Sequence, residues 1–95
     1  MIAFYTYIVA SQRNGTLYIG STEDLANRAE EHRAKLRAGF TAKYGVSTLV
    51  WCEVHDTRER AFTRERQMKK WNRAWKIELI ERFNPGWHDR SDELI

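Results

Sequence analysis

Phe4-Tyr5-Thr6-Tyr7-Ile8-Val9-Ala10-Ser11, then Gln12-Arg13-Asn14-Gly15, then Thr16-Leu17-Tyr18-Ile19-Gly20-Ser21 is the stretch on which the fold turns. The outer segments alternate and are rich in aromatic and β-branched residues, and the four residues between them carry Asn-Gly turn chemistry, so the stretch predicts a β-hairpin. A loop over residues 12–15 pairs Ser11 with Thr16, Val9 with Tyr18 and Tyr7 with Gly20. In that register Tyr7 and Tyr18 are diagonal neighbours on one face, and the missing side chain of Gly20 leaves space beside them. A two-residue Asn14-Gly15 turn would shift the pairing by two and keep the shared face.

Working outward, Thr22 can cap a helix that begins at Glu23, gains from Asp24 in its first turn, and runs to about Arg37 before Gly39. Leu25, Ala29, His32 and Leu36 form its apolar stripe, and Arg28 and His32 share one edge of it. An arginine at a buried edge requires an anion, either an internal carboxylate or a bound phosphate. Residues 40–47 read as a loop, and the run from Ser47 to His55 reads as a third strand. Thr57 can cap a second helix reaching Trp71, and a third helix from Ala74 to Phe83 stops before Pro85. The order β-β-α-β-α-α predicts an α/β (α+β) fold, a small three-stranded sheet containing the antiparallel hairpin and flanked by helices.

A chain of 95 residues has room for one domain with one modest core, and no repeat or linker divides it, so residues 1–95 are expected to fold as a unit. Cys52 is the one cysteine and stands in the apolar run Leu49-Val50-Trp51-Cys52, which excludes an internal disulfide and a cysteine zinc cluster. No window approaches the roughly 20 apolar residues needed to span a bilayer, and Met1-Ile2-Ala3-Phe4 does not read as a signal sequence. A soluble, cytoplasmic protein is expected.

The net charge of +3 is mild, but its distribution is uneven. Arg58, Arg60, Arg64, Arg66, Lys69, Lys70, Arg73 and Lys76 face only Glu59 and Glu65 in the stretch from 58 to 76. Such a concentration suits a polyanion, because neutralising phosphates releases counterions. A solvated helix face explains the same charges equally well.

Glu65 is the exception on the second helix, since Ala61 and Met68 mark the inward stripe and Glu65 lies on it. Lys69 alone stands at helical contact spacing from it. Glu65 either pairs with Arg28 in a buried ion pair or binds a metal, and the residues by themselves favour the ion pair.

Thr6-Tyr7-Ile8, Tyr18-Ile19-Gly20, and Asp24-Leu25-x-x-Arg28-x-x-x-His32, followed by Arg64-Glu65-Arg66-Gln67-Met68-Lys69-Lys70-Trp71, resemble the GIY-YIG endonuclease family in its small single-domain bacterial members. Each motif is weak alone, and four in order across nearly the whole chain are specific. Tyr5 and Thr6 stand where the first motif has Gly and Ile, while its tyrosine remains as Tyr7.

The resemblance implies metal-dependent hydrolysis of DNA phosphodiester bonds, with branched or damaged DNA, as in repair or recombination, among the substrates and RNA not excluded. It implies that Glu65 holds one Mg²⁺ or Mn²⁺ completed by water, and that Arg28 binds the scissile phosphate. Tyr7, Tyr18 and His32 would hold and activate the attacking water. A phenol with pKa of about 10 needs a nearby cation to ionise, whereas an imidazole near about 6.5 is already competent, which favours His32 or Tyr7 as base with Tyr18 positioning. Gly20, Lys69, Lys70, Trp71 and Arg73 are the expected substrate-binding residues.

Many family members follow the metal glutamate closely by a proline and then a bracing asparagine, but here Pro85 lies twenty residues after Glu65 and His88 holds the third position beyond it. Asn84 could serve in that role, and Glu78 could be the aligned glutamate, although the Arg-Glu-Arg-Gln context favours Glu65. Trp71 is the better candidate for a nucleic-acid surface. Core packing explains Trp51 and Trp75 more economically. A silent nucleic-acid-binding module and a plain protein-interaction domain are the competing readings, and target choice would be borrowed from a partner.

Overall fold

A computed structural model describes residues 3–34 and 45–94. Strands β1 (Phe4–Ala10), β2 (Leu17–Thr22) and β3 (Thr48–His55) form one antiparallel sheet in the order β2-β1-β3. Helix α1 (Leu25–Arg33) precedes β3, helices α2 (Arg58–Lys69) and α3 (Arg73–Phe83) follow it, and a short 3-10 helix (Arg90–Leu94) closes the described chain. The expected element order β-β-α-β-α-α and the α+β class therefore hold.

The hairpin has the expected register, with Val9 opposite Tyr18 and Tyr7 opposite Gly20. Ser11 N–H donates to Thr16 O at 3.0 Å, and Gly15 N–H donates to Gln12 O at 2.9 Å, which closes the loop. Asn14, at φ 58°, takes the left-handed position that its short polar side chain tolerates.

The period-2 alternation of β1 feeds two cores. Ile8 and Ala10 join Ile19, Val50, Trp51, Met68, Ile80 and Trp87 under α2 and α3. Tyr7 and Val9 join Leu25, Ala29, Val46 and Leu49 under α1. Between Ile8 and Val9 the pairing with β3 shifts register, from Trp51 to Leu49. That bulge leaves Val50 extra, and so lets the adjacent Val50 and Trp51 enter the same cluster.

Helix caps follow the rules, with one correction. Thr57 caps α2 by accepting from Arg60 N–H, as expected, and Asn72 caps α3 through Trp75 N–H. Helix α1 is capped by Asp24, not Thr22. Thr22 Oγ1 instead accepts from Asp24 N–H at 3.1 Å, fixing the turn that presents the Asp24 carboxylate to Asn27 N–H. The helix thus starts at Leu25 and its described extent is Leu25–Arg33; the expected end near Arg37, with Leu36 of the stripe, lies outside the described residues. No helix among the described residues is long and apolar enough to cross a membrane.

Candidate active site

The sheet divides the candidate residues between its two faces. Tyr7 and Tyr18 point toward α1, where His32 is buried. Tyr7 Oη lies 3.0 Å from His32 Nε2, and the imidazole ring sits 5.7 Å from the ring centres of both tyrosines. A Cβ built on Gly20 would come within 2.5 Å of Tyr7 Oη and 2.7 Å of its Cζ. The space left by Gly20 is thus filled by the Tyr7 ring itself, and no other residue type permits that approach.

Arg28, one turn before His32 on α1, completes this face. Its Nε donates to Glu31 Oε1 at 3.2 Å. Burial works against its charge, but a hydrogen bond and charge interaction with Tyr7, then the Glu31 carboxylate, outweigh it and hold the guanidinium above its ordinary value. The arrangement places a permanent cation beside the buried Tyr7 phenol.

Glu65 approaches from the other face. Thr6 and Ser21 are directly opposed across β1 and β2 and point toward α2. Thr6 Oγ1 donates to Ala61 O at 2.8 Å, and Ser21 Oγ donates to Glu65 Oε1 at 2.7 Å. The cross-strand pair thus meets two residues one helical turn apart, which sets both the height and the rotation of Glu65. Neither Thr6 nor Ser21 was among the predicted site residues. The available signal was a hydroxyl pair on the apolar face of the hairpin, Thr6 being fully buried.

The expected Arg28–Glu65 ion pair does not form. Arg28 is turned to Tyr7 and Glu31, while Glu65 Oε2 accepts from Lys69 Nζ at 2.8 Å. The sheet separates the two side chains, so the i+4 lysine supplies the counter-charge instead. Lys69 Nζ also lies 5.7 Å from the centre of the Tyr18 ring, and so links the two halves of the site around β2, one of the two edge strands.

The remaining predicted residues are spread more widely. Lys70 is exposed at the C-cap of α2. Arg73 uses one nitrogen to donate to Asn14 O and Gly15 O, both at 2.6 Å, and so holds the hairpin loop. Asn84 is buried and ties the C-terminal turn to β3, donating to Val50 O at 3.1 Å and His88 O at 2.8 Å; its described contacts do not include Glu65. Glu78 pairs with Arg82 at 2.5 Å on α3, in a surface cleft of about 360 Å³ that Arg64, Trp71 and Trp75 also line. Trp51 is buried as expected, but Trp75 is 56% exposed and meets Trp71 edge-on at 6.2 Å. Its place in the first turn of α3 leaves it outside the α2–α3 core, where the neighbouring Ile77 and Ile80 pack.

Among the described residues no three His, Cys, Asp or Glu side chains cluster as a multidentate metal site. A hard cation held by Glu65 and otherwise by water remains compatible with the donors present. The Lys69 ammonium already marks one carboxylate oxygen as a cation position.

A family model described as the GIY-YIG catalytic domain matches residues 3–78, a span that contains Tyr7, Tyr18, Arg28, His32 and Glu65 and ends before Asn84. A UPF0213 protein of Haloquadratum walsbyi is 38% identical over 77 residues, covering 81% of this chain and 85% of that one. A UPF0213 protein of Staphylococcus aureus is 32% identical over 81 residues, covering 85% and 98%. The solution NMR structure of a UPF0213 protein from Bacillus halodurans superposes with a TM-score of 0.57 at 25% identity, over 93% of both chains.

Proposed function

The chain belongs to the GIY-YIG family, and from that premise we propose that it is a metal-dependent endonuclease hydrolysing DNA phosphodiester bonds, branched or damaged DNA included. Family membership supports a nuclease-type function. One observation carries the finer reading. A buried Tyr7–His32 contact with Arg28 beside it lies on one face of the sheet and a nearly buried carboxylate, Glu65, on the other, with Lys69 joining the two sides at the edge strand β2.

In this reading Arg28 binds the scissile phosphate, its planar fork pre-set by Glu31 and Tyr7. Tyr7 and His32 share a proton across their 3.0 Å contact and take one from the attacking water. Tyr18 packs against the imidazole and orients it. Glu65, aimed by Ser21, would hold one Mg²⁺ or Mn²⁺, which would supply charge stabilisation for the departing 3′ oxygen. Lys70 and its neighbours on α2 contact the DNA backbone, and target choice comes from a partner.

A second reading, a catalytically silent nucleic-acid-binding module, is favoured by the engagement of both Glu65 oxygens within the protein. Both readings imply salt-sensitive DNA binding, so cleavage separates them. Purified protein is incubated with supercoiled and branched DNA in Mg²⁺ or Mn²⁺, with and without EDTA. Metal-dependent nicking absent from Arg28→Ala supports the nuclease; binding without nicking supports the silent module.

A further inference from the structure

We propose that the Lys69 ammonium is a resident counter-ion at Glu65 which a divalent cation must displace, so that Lys69 sets the metal affinity of the site. The inference rests on the reading of Glu65 as the metal ligand.

Glu65 is only 9% exposed, and a carboxylate so far withdrawn from water needs a compensating charge. The Ser21 hydroxyl satisfies Oε1 but is neutral; Lys69 Nζ, at 2.8 Å from Oε2, supplies the positive charge. The two ends of this ion pair differ in exposure. The Glu65 side chain is 12% exposed and the Lys69 side chain 48%, so the acid is fixed in the protein while the amine borders water. A lysine has a flexible four-carbon stem and point-charge donors, and can leave toward solvent without itself being stranded in a dry site. A cation bound to Oε2 and an ammonium in contact with the same oxygen repel each other at short range, so the two are mutually exclusive there. Tyr18, whose ring faces the ammonium at 5.7 Å, offers it a second resting place on the other side of β2.

Lys69 is therefore a positioning residue with two effects of opposite sign. It stabilises the fold when the metal is absent, and it weakens metal binding. A purely structural ion pair would give the first effect without the second.

The test measures Mn²⁺ binding alone, without DNA, from the paramagnetic resonance signal of free Mn²⁺, together with thermal unfolding in EDTA. Lys69→Met is expected to bind Mn²⁺ roughly tenfold more tightly than wild type, as removal of one competing contact charge predicts. It should also unfold at lower temperature in EDTA and regain that loss with Mn²⁺. Lys69→Gln, which keeps a hydrogen-bond donor without the charge, repeats the tightening if the methionine variant does not fold. Lys69→Arg, which keeps the charge, should bind no more tightly than wild type. If Glu65→Gln removes Mn²⁺ binding but the neutral Lys69 variants bind no better than wild type, the counter-ion proposal is overturned and Glu65 still stands as the ligand. If Glu65→Gln binds Mn²⁺ as wild type does, the metal reading itself fails, and the proposal with it.

Discussion

The hydroxyl of Tyr7 and Nε2 of His32 lie 3.0 Å apart although the residues are 25 positions apart in sequence, one on the central strand and the other on α1. Both are about 1% exposed, so their contact is shielded from competing water. Removing the hydroxyl in Tyr7→Phe keeps the ring that fills the space over Gly20. We expect single-turnover nicking to fall by roughly 10² to 10⁴-fold, the range of a lost proton-transfer group. Unfolding free energy should change by only about 1 to 2 kcal/mol. An unaltered nicking rate would remove Tyr7 from the chemistry.

Gly20→Ala tests the close approach by itself. The added methyl would meet Tyr7 Oη at 2.5 Å and the ring at 2.7 Å, in a strand where neither backbone can retreat freely. Overpacking of this kind costs about 1 to 3 kcal/mol. Urea unfolding should register that cost, and nicking should drop with it because Tyr7 is pushed from His32.

Much of this geometry was legible in the chain, and the parts that were not share a cause. Loop length and alternation determine the hairpin register, and hence the shared face of Tyr7 and Tyr18. Helical spacing likewise places Arg28 with His32 and puts Glu65 on the inward stripe. What local patterning does not contain is which face of the sheet each helix covers. That choice separates Arg28 from Glu65, gives Glu65 to Ser21, and leaves Trp75 in solvent. The α1 cap was missed for a local reason, because Thr22 and Asp24 both have capping side chains and the first serves the second.

Cys52 bears on stability at alkaline pH. Burial pushes its thiol above its ordinary value of 9.0, with the Glu93 carboxylate adding to the rise and Arg90 opposing it. The fold favours the neutral thiol, so this contribution is fully present below pH 9.0 and is lost as pH rises through the higher folded value. Wild type should therefore lose stability as pH rises from 9.0 toward that folded value more steeply than Cys52→Ala, as read by urea unfolding from neutral to alkaline pH. Parallel curves for the two proteins would contradict the assignment.

Cations on α2 divide into paired and unpaired ones. Arg58 pairs with Glu23, Arg60 with Asp56, Arg64 with Glu53 and Lys69 with Glu65. Among the described residues Arg66 and Lys70 have no carboxylate partner; Arg66 instead lies over the half-exposed Phe62 ring at 5.6 Å. Those two are the charges most available to phosphates. Arg66→Gln and Lys70→Gln should each lower the slope of log affinity for duplex DNA against log salt by about 1, with Arg58→Gln changing it less. Fluorescence anisotropy over a salt series measures this, and slopes unchanged in both variants would place the DNA elsewhere.

The most direct test of the central claim is single-turnover cleavage of supercoiled DNA by wild type and Glu65→Gln, each in Mn²⁺ and in EDTA, with the product ends identified. Wild type should nick only with metal and leave a 5′ phosphate and a 3′ hydroxyl, and Glu65→Gln should be slower by roughly 10²-fold or more. Equal nicking by the two proteins, or nicking that persists in EDTA, would contradict it.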